Sequence, residues 1–300
     1  MLRLTRGADS VVVAPAHGGA IVGWTRNGRH LLRRPSPEAV LHGHPGAMGC
    51  FPMLPYCNRI AHRRFVWDGR AYELAANFGD HPHAIHGIGW QRPWVVESAA
   101  SDCVSLSLRH NPDHRESARA WPFGFLARLT YRLTDAGLTI EIAATNTHTG
   151  PAPMGMGVHP WFRREAGDAI AFAANGVWLT EASLPATHVA VPSGWDHFKG
   201  RAVDGDPLDH CFTGWRGEAR LPAMRIAADP VFGALQVFTP AKADFFCIEP
   251  VSHVPNAIGL DGLPQDQAMT ALAPGGTLCG AIGFSPRNPA NVARTNAECT

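Results

Sequence analysis

Residues 125–144 read FLARLTYRLTDAGLTIEIAA, and this stretch decides the fold class. Apolar side chains alternate with polar ones on both sides of residues 134–137, TDAG. A period of two is typical of strands that bury one face, and a short connection containing glycine closes a β-hairpin. We therefore predict two antiparallel strands joined by a tight turn at residues 134–137.

Short apolar runs of the same kind recur along the rest of the chain, between segments rich in Gly, Pro, Asn and Asp. They predict strands at residues 10–14, 19–24, 65–67, 71–74, 94–98, 104–108, 188–191, 231–238, 245–249 and 277–284. Only residues 36–41 and 113–120 favour helices, and both helices would be short. Many strands without intervening helices indicate a sandwich or barrel. We expect an all-β fold with few short helices.

The composition excludes several classes of protein. The chain has 300 residues, of which 45% are hydrophobic and 17% charged, and its formal net charge is +1. That balance favours a folded core and offers no field that would hold nucleic acid or an anionic membrane. The seven cysteines are dispersed without CxxC pairs, which argues against a disulfide framework or a zinc knuckle.

The organisation of the chain shows no obvious break. The N-terminus lacks the apolar segment of a signal peptide, and no run approaches 18 apolar residues. We expect a soluble, cytoplasmic protein whose residues 1–300 form one domain, with a peripheral tail at residues 286–300. Histidine and tryptophan are in surplus, at 16 and 9 residues. These types transfer protons and cover flat apolar ligand faces, although core packing is the expected role of most tryptophans.

Polar clusters interrupt the strand pattern and join titratable side chains to Gly or Pro. They are PYCNRI at 55–60, HPHAIHGIGW at 81–90, MGMGVHPWF at 154–162, PLDHCF at 207–212 and FFCIEPVS at 245–252. In the last cluster Glu249 ends an apolar run, where burial would raise the pKa of the carboxyl group and make it a stronger base. Pairing with a buried arginine such as Arg59 is the alternative interpretation.

The histidine-containing clusters allow more than one interpretation. Pro160 restricts His159 to extended or turn geometry, which would hold a catalytic imidazole in one direction, although a buried structural histidine is equally consistent. His81, His83 and His86 suggest a metal site. In an extended segment, however, His86 faces away from the other two, so we expect no metal there. We assign His81 and His83 to loop packing.

Two further side chains could contact a polyol. Arg59 offers a fixed fork of donors for hydroxyl or carboxylate groups, and Asp209 could accept hydrogen bonds from hydroxyl groups. The alternatives are an ion pair with an acid across the sheet for Arg59 and an Asx-turn for Asp209.

Taken together and in order, these clusters resemble the motifs of the aldose 1-epimerase (galactose mutarotase) family. The matching elements are Asn58-Arg59-Ile60, Ile85-His86-Gly87 with Trp90, His159-Pro160-Trp161-Phe162, the stretch from Leu208 to Phe212, and Ile248-Glu249-Pro250. Each element is short, but five in the family's order are specific, and the similarity runs from residue 10 to residue 284. Trp90 and Trp161 replace the aromatic residues that are usual in the family, which can change the shape of the pocket.

The resemblance implies a β-supersandwich of the galactose mutarotase-like type. It also implies interconversion of the α- and β-anomers of a free aldose, without a metal or a cofactor. By position, Glu249 would be the general base on the C1 hydroxyl group and His159 the acid on the ring oxygen. The residues that would bind the sugar are Arg59, His86, Asp209, Asn58 and Trp161. We expect both catalytic groups to titrate near neutral pH and to give a bell-shaped rate–pH profile.

Other functions stay open at this point. A hexose-6-phosphate mutarotase would need extra basic side chains for the phosphate, which the arginine pairs at 33–34, 63–64 and 163–164 could supply. A non-catalytic sugar-binding protein would not need both Glu249 and His159, and a histidine–metal enzyme would lose activity with a chelator. The expected partner is a monosaccharide, with no nucleic acid and no membrane. The sequence does not choose between a monomer and a homodimer.

Overall fold

The computed structural model describes residues 1–43 and 45–287, and these residues form strands and a few short helices. The strands are β1 (Leu2–Arg6), β2 (Asp9–Ala14), β3 (Ala20–Arg26), β4 (Arg29–His30), β5 (Cys50–Met53), β6 (Arg59–Ile60), β7 (Arg64–Trp67), β8 (Arg70–Glu73), β9 (Ala84–Ile85), β10 (Val95–Ala99), β11 (Cys103–His110), β12 (Phe125–Thr134), β13 (Gly137–Asn146), β14 (Ala152–Met154), β15 (Gly157–Arg163), β16 (Ala169–Phe172), β17 (Gly176–Glu181), β18 (Leu184–Ala190), β19 (Arg201–Ala202), β20 (Leu208–Thr213), β21 (Glu218–Arg220), β22 (Met224–Ala228), β23 (Ala234–Thr239), β24 (Phe245–Val251), β25 (Thr270–Leu272) and β26 (Thr277–Pro286). The α-helices are α1 (Pro37–His42) and α2 (Arg115–Ala120). The predicted all-β class is confirmed.

Two large antiparallel sheets contain most of the strands. Sheet A has the order β1-β2-β3-β5-β15-β24-β23-β20-β17-β18, with β4 paired to β3. Sheet B has the order β10-β11-β12-β13-β26-β22-β21-β16-β19. Three two-stranded pairs, β6 with β9, β7 with β8 and β14 with β25, lie outside these sheets.

The hairpin predicted from residues 125–144 forms part of sheet B. Its strands β12 and β13 pair antiparallel from Phe125 opposite Asn146 to Thr134 opposite Gly137. Gly137 has φ +133°, and a Cβ atom at this position would lie 2.2 Å from the carbonyl oxygen of Phe284. Glycine is required here because the neighbouring strand β26 passes too close for a side chain.

The alternation pattern predicted strands well, but it missed several inner strands of the sheets, among them β15 and β20. Each predicted strand overlaps an observed one, and both predicted helices are present; Ser36 caps α1 by accepting a hydrogen bond from the backbone N–H of Ala39. The interpretation of residues 154–162 and 207–212 as interruptions is wrong, because most of them belong to β15 and β20. β15 is buried on both faces, so its sequence is continuously apolar or small rather than alternating.

Sheet A has a different environment on each face. Alternate side chains of its central strands, among them Val158, Val237 and Ile248, join side chains of sheet B in one hydrophobic core. The sheets therefore pack face to face. The side chains at the intervening positions, including Phe51 and Trp161, form a second buried cluster on the outer face of sheet A. Loops cover that cluster, and the candidate site lies there.

The described part of the chain contains no helix with the length and apolar character that a membrane-spanning segment requires. The assignment of residues 1–300 to one domain stays a prediction. Strand β26 extends to Pro286, and residues 288–300 of the predicted tail lie outside the described residues.

Candidate active site

A row of side chains crosses the outer face of sheet A. It runs through Phe51, His159, Glu249, Gln236, Cys211 and Trp178, on β5, β15, β24, β23, β20 and β17. The pairs Gly157–Val251 and Trp161–Cys247 lie on either side of His159 and Glu249, which places these two residues opposite each other. Directly opposite residues point to the same face of a sheet. The ladder of sheet A thus brings together side chains that are far apart in sequence.

His159 and Glu249 form a buried pair. The Nε2 atom of His159 lies 3.3 Å from Oε1 of Glu249. The remaining polar atoms of the pair, Nδ1 of His159 and Oε2 of Glu249, are buried and have no hydrogen-bond partner among the described residues. Buried polar atoms are nearly always paired in folded proteins, so one unpartnered atom on each member of the pair marks it as a candidate ligand site. The alternative that Glu249 pairs with Arg59 is wrong.

Burial sets the protonation of this pair. It raises the pKa of Glu249 well above its usual range, and the negative charge of Asp209 acts in the same direction. It lowers the pKa of His159 to about 3, and the positive charge of Arg33 contributes to that decrease. The expectation that both groups titrate near neutral pH is therefore wrong for His159. Burial therefore favours the neutral form of both side chains, a protonated carboxyl group next to an unprotonated imidazole nitrogen.

Aromatic rings fix the imidazole of His159. The ring of Trp161 stacks on it, with centroids 4.1 Å apart and an interplanar angle of 19°. The ring of Phe51 contacts it from β5 at 4.9 Å. The guanidinium group of Arg33 lies over Trp161, 4.7 Å from the ring centroid. Trp161, which was expected to bind sugar, thus contacts the predicted acid directly, and its packing holds that acid in place.

Arg59, Asp209, Asn58 and Gln236 form a hydrogen-bonded group next to the pair. Arg59 Nη2 lies 3.3 Å from Oδ2 of Asp209, and Nη1 donates to Oδ1 of Asn58 at 3.2 Å. Gln236 Nε2 donates to the other carboxylate oxygen of Asp209 at 2.7 Å. The ion pair foreseen as an alternative for Arg59 is therefore present, with Asp209 as its acid. Both charged residues nevertheless remain at the site.

The loops that carry Asn58 and His86 hold each other in an unusual conformation. Both residues have positive φ angles, of 55° and 58°. The backbone N–H of Asn58 donates to Nδ1 of His86 at 3.2 Å, and the backbone N–H of His86 donates to the carbonyl oxygen of Asn58 at 2.8 Å. Since Nδ1 accepts, the ring proton of His86 belongs on Nε2. Burial lowers the pKa of His86 well below its usual range, helped by His159 and Arg59, so the ring is a neutral donor.

His81 and His83 have the loop-packing role that was predicted for them. Nδ1 of His83 accepts from the backbone N–H of His62 at 3.0 Å, and Nδ1 of His81 accepts from the backbone N–H of His83 at 3.2 Å. Their ring nitrogens thus stabilise the turn that leads to His86.

Four buried thiols surround the carboxyl group of Glu249. They belong to Cys50, Cys57, Cys211 and Cys247, and the negative charge of Glu249 adds to the burial that raises the pKa of each of them. Among the described residues, His159, Cys247 and Glu249 have potential metal-ligating atoms within 4.8 Å of one another. The thiols are part of the buried surroundings of this carboxyl group.

A shallow cleft opens beside the row. Arg59, Asp209 and Gln236 line one side, and the β17–β18 hairpin lines the other through Trp178 and Thr180. The cleft thus combines polar groups that can bind hydroxyl groups with an aromatic face that can cover carbon–hydrogen bonds.

The sequence interpretation missed Gln236, Phe51 and Trp178. Gln236 had a usable signal, because it is a polar residue inside the predicted apolar strand 231–238, as Glu249 is in its own strand. Phe51 and Trp178 had none, since an aromatic residue in a strand is equally expected in the core.

Comparisons with known proteins identify the family and the fold. The model of a family described as aldose 1-epimerase matches residues 1–280. The uncharacterized protein YphB of Escherichia coli K12 is 29% identical in an alignment of 273 positions that covers 86% of this chain and 89% of YphB.

Two crystal structures share the fold. A candidate aldose 1-epimerase from E. coli K12 has a TM-score of 0.83 and 27% identity, with 95% of this chain and 98% of that chain covered. A galactose mutarotase-like protein from Clostridium acetobutylicum has a TM-score of 0.82 and 19% identity, with 95% and 94% covered. The predicted galactose mutarotase-like fold is confirmed.

Proposed function

We propose that this chain, which belongs to the aldose 1-epimerase family, interconverts the α- and β-anomers of a free aldose. One observation carries the proposal. An imidazole and a carboxyl group lie 3.3 Å apart, buried and incompletely hydrogen-bonded, at a cleft lined by Arg59, Asp209 and Gln236. An acid and a base in contact, beside groups that can bind hydroxyls, suit a reaction that moves two protons on a sugar.

Ring opening needs one proton removed from O1 and one delivered to O5 while the C1–O5 bond breaks. The pair holds a single proton, so its reactive form is imidazolium with carboxylate, which has the same proton count as the resting neutral form. A bound sugar favours the ionic form because its O1–H donates to the carboxylate of Glu249 and its O5 accepts from Nε2 of His159. After rotation about C1–C2, the reverse transfers close the ring on the other face.

The surrounding polar side chains would hold the sugar in place. The backbone N–H of Asn58 holds the ring of His86 through its Nδ1 atom, which leaves Nε2–H free to donate to the sugar. The rings of His86 and His159 are close, with centroids 5.1 Å apart. Arg59 would donate to hydroxyl oxygens and stabilise the negative charge that develops on them. The carboxylate of Asp209 and the free Oε1 of Gln236 would accept from hydroxyl groups. These steps are proton transfers and hydrogen bonds, so the proposal includes no cofactor.

A hexose-6-phosphate mutarotase is the second candidate, and Arg33 favours it. Two other arginines of the pairs at 63–64 and 163–164 have structural partners, since Arg164 contacts Asp204 and Arg64 contacts Glu73. Arg33 lies between the rings of Trp161 and Phe245 and forms no salt bridge among the described residues. Arg33 contacts the Trp161 ring that stacks on His159, and from there it could bind an anionic group on C6.

The test follows the optical rotation of freshly dissolved α-anomers of galactose, glucose, arabinose, xylose, fucose and glucose 6-phosphate. We expect the wild type to equilibrate at least one of them faster than buffer. Glu249→Gln and His159→Gln should each lower kcat by about 10²–10⁴-fold, as loss of a general acid or base does. Glu141→Gln on sheet B is the control and should keep the full rate.

Three outcomes would contradict the proposal. If no sugar equilibrates faster than buffer, the protein is not an epimerase for these substrates, and binding without turnover would favour a sugar-binding protein. If Glu249→Gln retains the full rate, Glu249 is not the base. Turnover confined to glucose 6-phosphate would favour the second candidate instead. The cytoplasmic location stays a prediction.

A further inference from the structure

We propose that His159, Cys247 and Glu249 form a binding site for a soft divalent cation such as Zn²⁺ or Cd²⁺. We further propose that the bound cation blocks the epimerase reaction, a consequence that rests on the proposed function. The site is distinct from a metalloenzyme centre, because here the metal would occupy the atoms that carry out the chemistry.

The spacing of the three side chains suits tetrahedral coordination. Bond lengths of about 2.0–2.3 Å to nitrogen, oxygen and sulfur place tetrahedral ligand atoms about 3.4–3.6 Å apart. Nε2 of His159 and Oε1 of Glu249 are already 3.3 Å apart, and the ligating atoms of all three residues lie within 4.8 Å of one another. The Sγ atom of Cys247 therefore has to move by no more than about 1.3 Å, which an adjustment of its short side chain can provide.

A second observation, independent of the spacing, points to a ligand. Glu249 is only 2% exposed, and its Oε2 atom has no hydrogen-bond partner among the described residues. A buried carboxyl group with a free oxygen is costly unless something binds it. A cation coordinated by this carboxylate would satisfy the group.

The donor set selects the kind of metal. Thiolate and imidazole ligands favour Zn²⁺ and softer ions, whereas Mg²⁺ and Ca²⁺ prefer sites made of oxygen atoms. Three protein ligands leave a fourth position for water, as in zinc sites that are open to small molecules. The thiolate of Cys247 and the carboxylate of Glu249 together balance the two charges of the ion.

Binding of the metal and epimerisation exclude each other. The ion would take the lone pair of His159 Nε2 and a carboxylate oxygen of Glu249, and it would displace both the proton that they share and the thiol proton of Cys247. Without that shared proton the pair has nothing to deliver to O5. A chelator should therefore raise the activity of a zinc-loaded preparation, the opposite of its effect on a metal-dependent enzyme.

The binding test uses metal-free protein titrated with Cd²⁺, followed by the ultraviolet charge-transfer band of a Cd²⁺–thiolate bond. We expect one equivalent to bind and Zn²⁺ to displace it. Cys247→Ala should lose the band and weaken binding by more than about 100-fold, since even outer-shell partners of metal ligands contribute about 10–100-fold. Cys50→Ala, which removes another buried thiol near Glu249, is the matched control and should bind like the wild type. Cys247→Ser provides a second variant if the alanine variant does not fold.

The activity test measures the mutarotation rate with added Zn²⁺. Zn²⁺ should inhibit the wild type competitively with sugar, and EDTA should restore the rate. Cys247→Ala should retain sugar turnover and resist Zn²⁺. Unchanged Cd²⁺ binding by Cys247→Ala, or binding by the wild type without a thiolate band, would overturn the proposed site. If the wild type turned over no sugar, the proposed function would fail, and the Cd²⁺ titration would still decide whether the site exists.

Discussion

The protonation state of the pair should respond to Arg33, which lies beside His159. The positive charge of Arg33 contributes to the low pKa of His159, which is about 3. The guanidinium group lies 4.7 Å from the ring centroid of Trp161, and that centroid lies 4.1 Å from the centroid of the imidazole. The positive charge is therefore within about 9 Å of the imidazole. A unit charge at that distance, in an effective dielectric constant of about 20, contributes about 2 kcal/mol, and screening by solvent reduces this. Arg33→Gln should therefore raise the pKa of His159 by about one unit.

The assay is the dependence of kcat/KM on pH for a sugar that the wild type turns over. The active form of the pair holds one proton, so acid inactivates it when His159 gains a second proton, near pH 3. Alkali inactivates it at the raised pKa of Glu249, which owes its increase to burial and Asp209. We expect a broad plateau in place of the narrow bell predicted from sequence. In Arg33→Gln the acid limb should move to about pH 4 while the alkaline limb stays in place.

Two results would refute this reasoning. An acid limb of the wild type near the ordinary histidine pKa of about 6.5 would show that His159 is not held neutral by burial. An acid limb that does not move in Arg33→Gln would show that the charge of Arg33 does not act on it. Arg34→Gln, at the exposed neighbouring position, is the control for a general effect of charge removal.

Further predictions concern the cleft, the loop and acid stability. Trp178→Ala should raise KM about tenfold at nearly unchanged kcat. About 60 Å² of apolar sugar surface would become exposed, which at about 25 cal/mol per Å² weakens binding by about 1.5 kcal/mol. An equal fall in kcat would contradict this role. Gly87→Ala should lower the free energy of unfolding by about 1–3 kcal/mol and reduce activity, because its Cβ would lie 2.1 Å from the carbonyl oxygen of Leu54. Gly69→Ala, with the same φ and open space, is the control in urea unfolding. Burial lowers the pKa of His253 to about 4, so the folded protein holds this side chain neutral. The free energy of unfolding is therefore unaffected by His253 above pH 6.5 and falls by up to about 1.4 kcal/mol per pH unit as the pH decreases towards 4. Unfolding curves at pH 7 and pH 4.5 should show this loss, and His253→Asn should reduce it; equal losses in both proteins would exclude His253 as the cause.

The fold was predictable from sequence where strands bury one face. The alternation in residues 125–144 predicted β12 and β13, down to the turn before Gly137. It could not predict β15, because a strand packed on both faces loses the period of two. For the same reason the histidine of β15 looked like part of a loop, whereas it stands in the middle of sheet A.

The candidate site was predictable mainly through its ordered motifs. The structure brings Glu249, His159, Arg59, His86, Asp209, Asn58 and Trp161 into one region. Their protonation could not be derived from sequence, because it depends on burial and on Arg33, a residue 126 positions before His159 that no local pattern connects to it. Gln236 and Trp178 were missed because register between strands, rather than spacing along the chain, places them in the row.

In sheet A the groups that transfer protons and the groups that select the sugar lie on different elements, whereas enzymes often carry both in the same loops. His159 and Glu249 stand on adjacent strands, so the ladder of backbone hydrogen bonds fixes their separation. The far wall of the cleft belongs to the β17–β18 hairpin, whose tip includes Ser183 and lies at the edge of the sheet. Exchange of that hairpin between relatives would alter which sugar fits and leave the proton-transfer distance unchanged. The architecture therefore allows substrate range to diversify, in evolution or in the laboratory, without rebuilding the chemistry.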